Sequence, residues 1–153
     1  MAVVSDAYQG DDRSQFLRTI RYLKRWKDFV FRSDGHAAPT GISLTAAALE
    51  WFRPGRPYIF YSSSDYDDLS ALEMLVEAML EAFSWGLFGP TRLSVHLPVE
   101  PLNDLFEMMT EEQMLELKRK LEFLRETLAQ ASRAGGRDGA ELLSRVFGPD
   151  FPV

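Results

Sequence analysis

The chain has 153 residues, 46% hydrophobic and 26% charged, with 17 basic side chains, 23 acidic ones and a net charge of −6. That length accommodates one domain with a real core, and the acidic balance argues against a general nucleic-acid coat. There is no cysteine, and His36 and His96 lie far apart, which excludes disulfides, thiolate metal sites, cysteine nucleophiles and a His-Glu-x-x-His zinc motif.

Residues 1–13 read as a weakly structured lead-in and residues 14–153 as a single helical domain. The first residues carry Asp6, Asp11 and Asp12 and no early basic group, unlike a signal peptide. No apolar run approaches the roughly 18–20 residues that span a bilayer. A cytoplasmic, membrane-free protein is the expectation.

Ser14 is a candidate N-cap for a first helix of about four turns. Phe16, Ile20, Leu23, Trp26 (or the stem of Lys27) and Val30 recur there at steps of three to four. Residues 33–41 are rich in turn formers and read as a loop. A second helix is expected from about 41 or 43 to 52, ended by Pro54 and Pro57. Tyr58 to Tyr61 reads as extended, and Ser62 to Asp65 offers several caps. A third helix spans about 67–85, with Leu69, Leu72, Leu75, Val76, Met79, Leu80 and Phe83 apolar.

Residues 92–101 alternate apolar and polar side chains but contain two prolines, and so read as an extended edge segment. Thr110 and Gln113 form a capping box. It opens the chain's cleanest helical period, Met114, Leu117, Leu121, Leu124, Leu128 and Ala131. Residues 134–139 read as a glycine-rich break, and a short last helix covers about 140–146. The fold class expected is all-α, a bundle of about five helices with short extended segments.

Charge is segregated along this chain. Residues 13–32 hold seven cations (Arg13, Arg18, Arg21, Lys24, Arg25, Lys27 and Arg32) and one acid, Asp28. That segment is +6 and the remainder −12. Cations at helical spacing suit phosphate, because they supply charge and donors together; a solvated or acid-paired face has the same signature.

Asp65-Tyr66-Asp67-Asp68 offers either an Asp-x-Asp metal pair or first-turn acids. Glu73, Glu77 and Glu81 form a stripe suited to solvent or to docking the basic helix. His36 and His96 read as structural. Ser43 stands near a helix start, where backbone N–H groups favour an anion and where a cap also belongs.

The string Phe16-Leu17-Arg18-Thr19-Ile20-Arg21-Tyr22-Leu23-Lys24-Arg25-Trp26-Lys27-Asp28 resembles the long helix after the catalytic core of bacterial cGAS/DncV-like nucleotidyltransferases, the second-messenger synthases of CBASS antiphage defence. Residues 39–45, 68–72 and 97–106 are similar to later blocks of that family. Residues 146–152, Val-Phe-Gly-Pro-Asp-Phe-Pro, look like its ending, with Pro149 where an acid is more usual.

The resemblance implies the C-terminal helical domain shared with oligoadenylate synthases, one wall of a nucleotide cleft. In that family a lysine of the long helix and a serine at the next helix start contact the donor triphosphate. Lys24 and Ser43 occupy the matching positions, with Arg21 and Arg25 as further phosphate-binding candidates. NTP and a nucleotidyltransferase core are the implied partners.

The family's Gly-Ser and strand-borne Asp-x-Asp do not occur here. The chain is therefore expected to be inactive alone, with no catalytic residue or metal ligand of its own, and Mg²⁺ is expected only with a core supplied by other residues. The alternative reading is a helical adaptor or regulatory module that associates with itself or with a protein. It expects exposed apolar surface at Phe16, Tyr22, Trp26 or Phe29.

Overall fold

Apolar spacing sets the helices of this computed structural model, which describes residues 8–32, 38–54, 67–83, 92–97 and 103–151. Five form among those residues: α1 (Gly10–Val30), α2 (Gly41–Trp51), α3 (Asp68–Glu81), α4 (Glu111–Ala134) and α5 (Gly136–Phe147). No β-strand forms among them, so the fold is all-α. No described helix is long and apolar enough to cross a membrane.

α1 buries Phe16, Ile20, Leu23 and Trp26 along one stripe, as an amphipathic helix must. Trp26, not the stem of Lys27, takes the core position and is fully buried. Its indole N–H has no acceptor among the described residues. The ring meets Phe31 edge-on at 5.9 Å, and burial of so large a ring outweighs one unpaired donor.

α1 starts at Gly10, a turn before the expected Ser14 cap, so the lead-in is shorter than residues 1–13. Ser14 instead lies inside the helix, its hydroxyl donating to the Gly10 carbonyl at 3.4 Å. Two causes act upstream. Asp11 and Asp12 occupy the first turn, where the dipole favours acids. Tyr8 packs on Phe16 and Phe52 and donates its hydroxyl to the Phe52 carbonyl at 2.8 Å.

α2 is apolar nearly all round, with Leu44, Ala46, Ala47 and Ala48 buried; its small side chains allow close approach to α1 and α3. α3 is capped by Asp67, which accepts from the Ser70 N–H at 3.0 Å. The serines and acid at 62–65, expected as caps, lie outside the described residues, as does the segment Tyr58 to Tyr61.

α4 has the expected capping box: Thr110 Oγ1 accepts from Gln113 N and Gln113 Oε1 accepts from Thr110 N. Its buried face is the predicted one, Met114 through Ala131, with Thr127 added. α5 begins at Gly136, not near 140. Gly135 and Gly136, at φ +65° and +52°, reverse the chain so that α5 packs on α4, and Gly139 lies within the helix.

α1 therefore lies against α2, α3 and α5, while α3 and α5 in turn pack on α4. Residues 92–97 run extended as expected, burying Leu93, Val95 and Leu97 and exposing Ser94 and His96. They are pinned to the following turn rather than to a sheet: Leu105 N donates to the Val95 carbonyl at 2.9 Å, and Asp104 Oδ1 accepts from Val95 N at 3.0 Å.

Candidate functional site: a cationic groove along α1

The core stripe of α1 leaves its cations on the opposite side. Arg18, Arg21, Lys24 and Arg25, with Tyr22, Asp28 and Phe151, line an open groove of about 490 Å³. The cations divide by what they already hold.

Arg18 grips Asp68 with two bonds, Nε to Oδ2 at 2.7 Å and Nη2 to Oδ1 at 2.9 Å. The Tyr22 hydroxyl donates to the same carboxylate at 3.3 Å. Burial pushes the Asp68 carboxyl up, but the Arg18 bonds and charge, with bonds from Gln15 and Tyr22, outweigh it and hold it below the ordinary value. Burial, and the Asp68 charge beside it, push the Tyr22 phenol up.

Arg25 donates Nε to the Phe147 carbonyl at 2.9 Å, satisfying an orphan group at the end of α5. Its guanidinium also lies 5.3 Å from the Phe151 ring centroid. Lys27 pairs with its neighbour Asp28 at 3.2 Å. Arg32 folds onto Phe29, 4.4 Å from the ring centroid.

Lys24 and Arg21 differ: among the described residues neither forms an ion pair or a hydrogen bond. Arg21 is exposed. Lys24 is half-buried against Gly41, the first residue of α2. Its Cε and Nζ stand 3.5 and 3.9 Å from where a β-carbon on Gly41 would be. Glycine here leaves the ammonium beside the N-terminal turn of α2, the positive end of that helix's dipole.

Ser43 is two residues further on and fully buried. Thr40 is the cap, accepting from Ser43 N at 3.2 Å, while the Ser43 hydroxyl donates to the Thr40 carbonyl at 2.7 Å. The four expected phosphate contacts thus separate. Lys24 and Arg21 face the groove with their charge unengaged. Arg25 lines it while clamping α5. Ser43 sits at the same helix start as Lys24, with its hydroxyl turned into the chain.

Asp67 caps α3 and Asp68 belongs to Arg18, while Asp65 and Tyr66 lie outside the described residues. Among the described residues no three His, Asp or Glu side chains converge.

The stripe at Glu73 and Glu77 opens toward α4 rather than docking α1, whose described ion pairs run to Asp68 and Asp28. Together with Arg119, Glu122, Phe123 and Glu126 it borders a second open groove, of about 570 Å³. Burial and the neighbouring Glu77 push the Glu73 carboxyl up. Glu81 is exposed at the end of α3, and His96 is exposed in the extended segment. His36 lies outside the described residues.

Phe16 and Trp26, expected as exposed surface under the adaptor reading, are fully buried, and Tyr22 and Phe29 are half-buried. Among the described residues, the exposed large apolar side chains are Ile42, Met74, Met108, Leu115 and Phe123.

Sequence reasoning missed the far wall of the groove. Phe151 stacks on Phe147 at 4.6 Å and meets Tyr22 edge-on at 5.8 Å, which brings the chain's last described residue against α1. The aromatic pair flanking Gly148-Pro149-Asp150 was the available signal. No protein-family model matches the chain, and no curated protein matches it.

Proposed function

We propose that this chain is the phosphate-facing helical wall of a nucleotide cleft, the C-terminal helical domain of a cGAS/DncV-like nucleotidyltransferase acting in CBASS-type defence in the cytoplasm. The observation that carries the reading is the pair Arg21 and Lys24, whose charge is unengaged in an open groove beside the start of α2. Holding like charges close together costs free energy, and a polyphosphate returns it on binding.

The chain's own contribution is to hold and orient phosphate oxygens. Lys24 supplies a point charge, Arg21 a planar fork, and Arg25 keeps the groove's far wall in position. The resemblance in residues 16–28 and 146–152 supports nucleoside triphosphate as the ligand. Nucleotidyl transfer and its Mg²⁺ belong to a catalytic core supplied by other residues, so the chain alone is expected to have no transferase activity.

Titrating ¹⁵N-labelled protein with ATP tests this. Amide shifts are expected along α1 and at residues 40–43. Lys24→Ala is expected to weaken binding about five-fold, the equivalent of about 1 kcal/mol for an exposed charge pair. Identical titrations of Lys24→Ala and the parent chain, or no shifts at all, overturn the reading.

A second reading, a helical module that associates with itself or another protein, draws on Phe123. That ring is half-exposed on α4 at the edge of the α3–α4 groove. Light scattering distinguishes the two: a concentration-dependent dimer that Phe123→Ser dissolves favours the module.

A further inference from the structure

The cationic groove has an apolar neighbour. Leu69, Leu72, Leu143, Phe147, Phe151 and Tyr22 line a recess of about 220 Å³, with Asp68 at its edge. Tyr22 and Phe151 belong to both cavities, so the recess opens beside the cations. Its one charged lining group, Asp68, has both oxygens engaged by Arg18. The recess therefore offers ring faces and aliphatic carbon rather than free charge.

The volume decides what enters. Pockets for whole drug-sized ligands run from roughly 300 to 1,000 Å³. A recess below that range takes one flat ring system, not a complete nucleotide. A ring seated there leaves its anionic substituent toward the adjoining cationic groove.

We infer that the recess between α1, α3, α5 and the tail at Phe151 is a base subsite: it takes the purine ring of a nucleoside triphosphate whose phosphates lie in the adjoining cationic groove. This deepens the nucleotide reading above and rests on it.

Three features give the subsite its selectivity. The polar groups on its walls, Asp68 and the Tyr22 hydroxyl, already bond Arg18 and each other, so ATP and GTP are expected to bind alike. The smaller pyrimidine ring covers less of the apolar wall and binds more weakly. The tail contributes an entire side of the recess through Phe151, and that side is fixed by the Arg25 clamp on Phe147 and the guanidinium against Phe151.

The test compares ATP with inorganic tripolyphosphate on the same protein. ATP is expected to bind about tenfold more tightly, the gain typical of one base on aromatic walls. Saturating the protein's aromatic protons should transfer magnetisation to adenine H2 and H8. Phe151→Ala should lower ATP affinity by a larger factor than tripolyphosphate affinity, since Phe151 borders both cavities but only the base rests on its ring.

Phe151→Leu, which keeps apolar volume and loses the ring, should give an intermediate ATP affinity; it stands in if Phe151→Ala alters the whole amide spectrum. Equal affinities for ATP and tripolyphosphate in the parent chain overturn the base subsite and leave the phosphate groove standing. Equal losses of both ligands in the Phe151 variants overturn it too. Absence of binding by either ligand overturns both readings.

Discussion

Replacing Asp68 by Ala removes the contact that joins α1 to the start of α3. The carboxylate takes two charge-assisted bonds from Arg18 and one from Tyr22, and it sits in the first turn of α3. Charged hydrogen bonds contribute about 1.5–3 kcal/mol each when well shielded, and a first-turn anion about 0.3–1 kcal/mol. The side chains here are 34% and 26% exposed, so screening and released side-chain entropy offset much of that total.

The freed guanidinium can also turn to water, which avoids the larger cost of a stranded buried charge. The expected loss is about 2 kcal/mol, or about 4–8 °C in Tm for a chain of this size. Urea unfolding followed by tryptophan fluorescence measures it.

The same contact has a pH signature. The Asp68 carboxyl is held below its ordinary value, so its contribution is complete above the unfolded value of about 4 and disappears as pH falls through the depressed folded value. The gap between parent and Asp68→Ala should be constant from about pH 5 to pH 8 and close in acid. A gap under about 0.5 kcal/mol at neutral pH, within the ordinary range for surface substitutions, refutes the reasoning. So does one that persists unchanged below the carboxylate range.

Two other substitutions test separate features. Gly148 has φ +97° and ψ 160°, a region nearly restricted to glycine, and a β-carbon there would lie 3.3 Å from Phe29 Cδ2. Gly148→Ala is therefore expected to cost about 1–3 kcal/mol, seen as a lower urea midpoint and altered Phe151 ring resonances. Burial and Glu77 hold the Glu73 carboxyl above its ordinary value, so the folded state binds that proton more tightly than the unfolded chain. Stability then falls as pH rises through the folded value, and Glu73→Gln is expected to raise Tm at pH 7 with no gain in acid.

What could be read in the sequence was what depends on near neighbours. Thr110 and Gln113 lie one helical turn apart, and the box they form requires nothing from elsewhere in the chain. The buried face of α4 follows equally from its own spacing. The start of α1 does not, because Tyr8 reaches Phe52 across 44 positions. Ser14 has the chemistry of a cap but not the place.

Glycines mislead in a related way. The cluster at 135, 136 and 139 looks like one break, yet Gly139 lies inside α5 and the reversal rests on the positive φ of Gly135 and Gly136. In the groove, the family resemblance pointed to Lys24, Ser43, Arg21 and Arg25, and spacing alone could not tell how they divide. Arg25 meets Phe147 across 122 positions. Conversely, Ser43 hydrogen-bonds only three residues back, a bond that competes with any ligand for the same hydroxyl.

The +6 segment makes physical sense once its cations are sorted by employment. Arg18 and Arg25 flank Arg21 and Lys24 on α1, and each reaches a different part of the chain, Asp68 of α3 and the Phe147 carbonyl of α5. These attachments fix the helix on both sides of Arg21 and Lys24, which lie three positions after Arg18 and one before Arg25. Fixing them limits how far the two charges can separate to relieve their repulsion, and so preorganises them for an anion. The division has an experimental consequence: loss of Arg18 or its partner should appear mainly in unfolding, whereas loss of Lys24 should appear mainly in phosphate binding, because its charge is not spent on the fold.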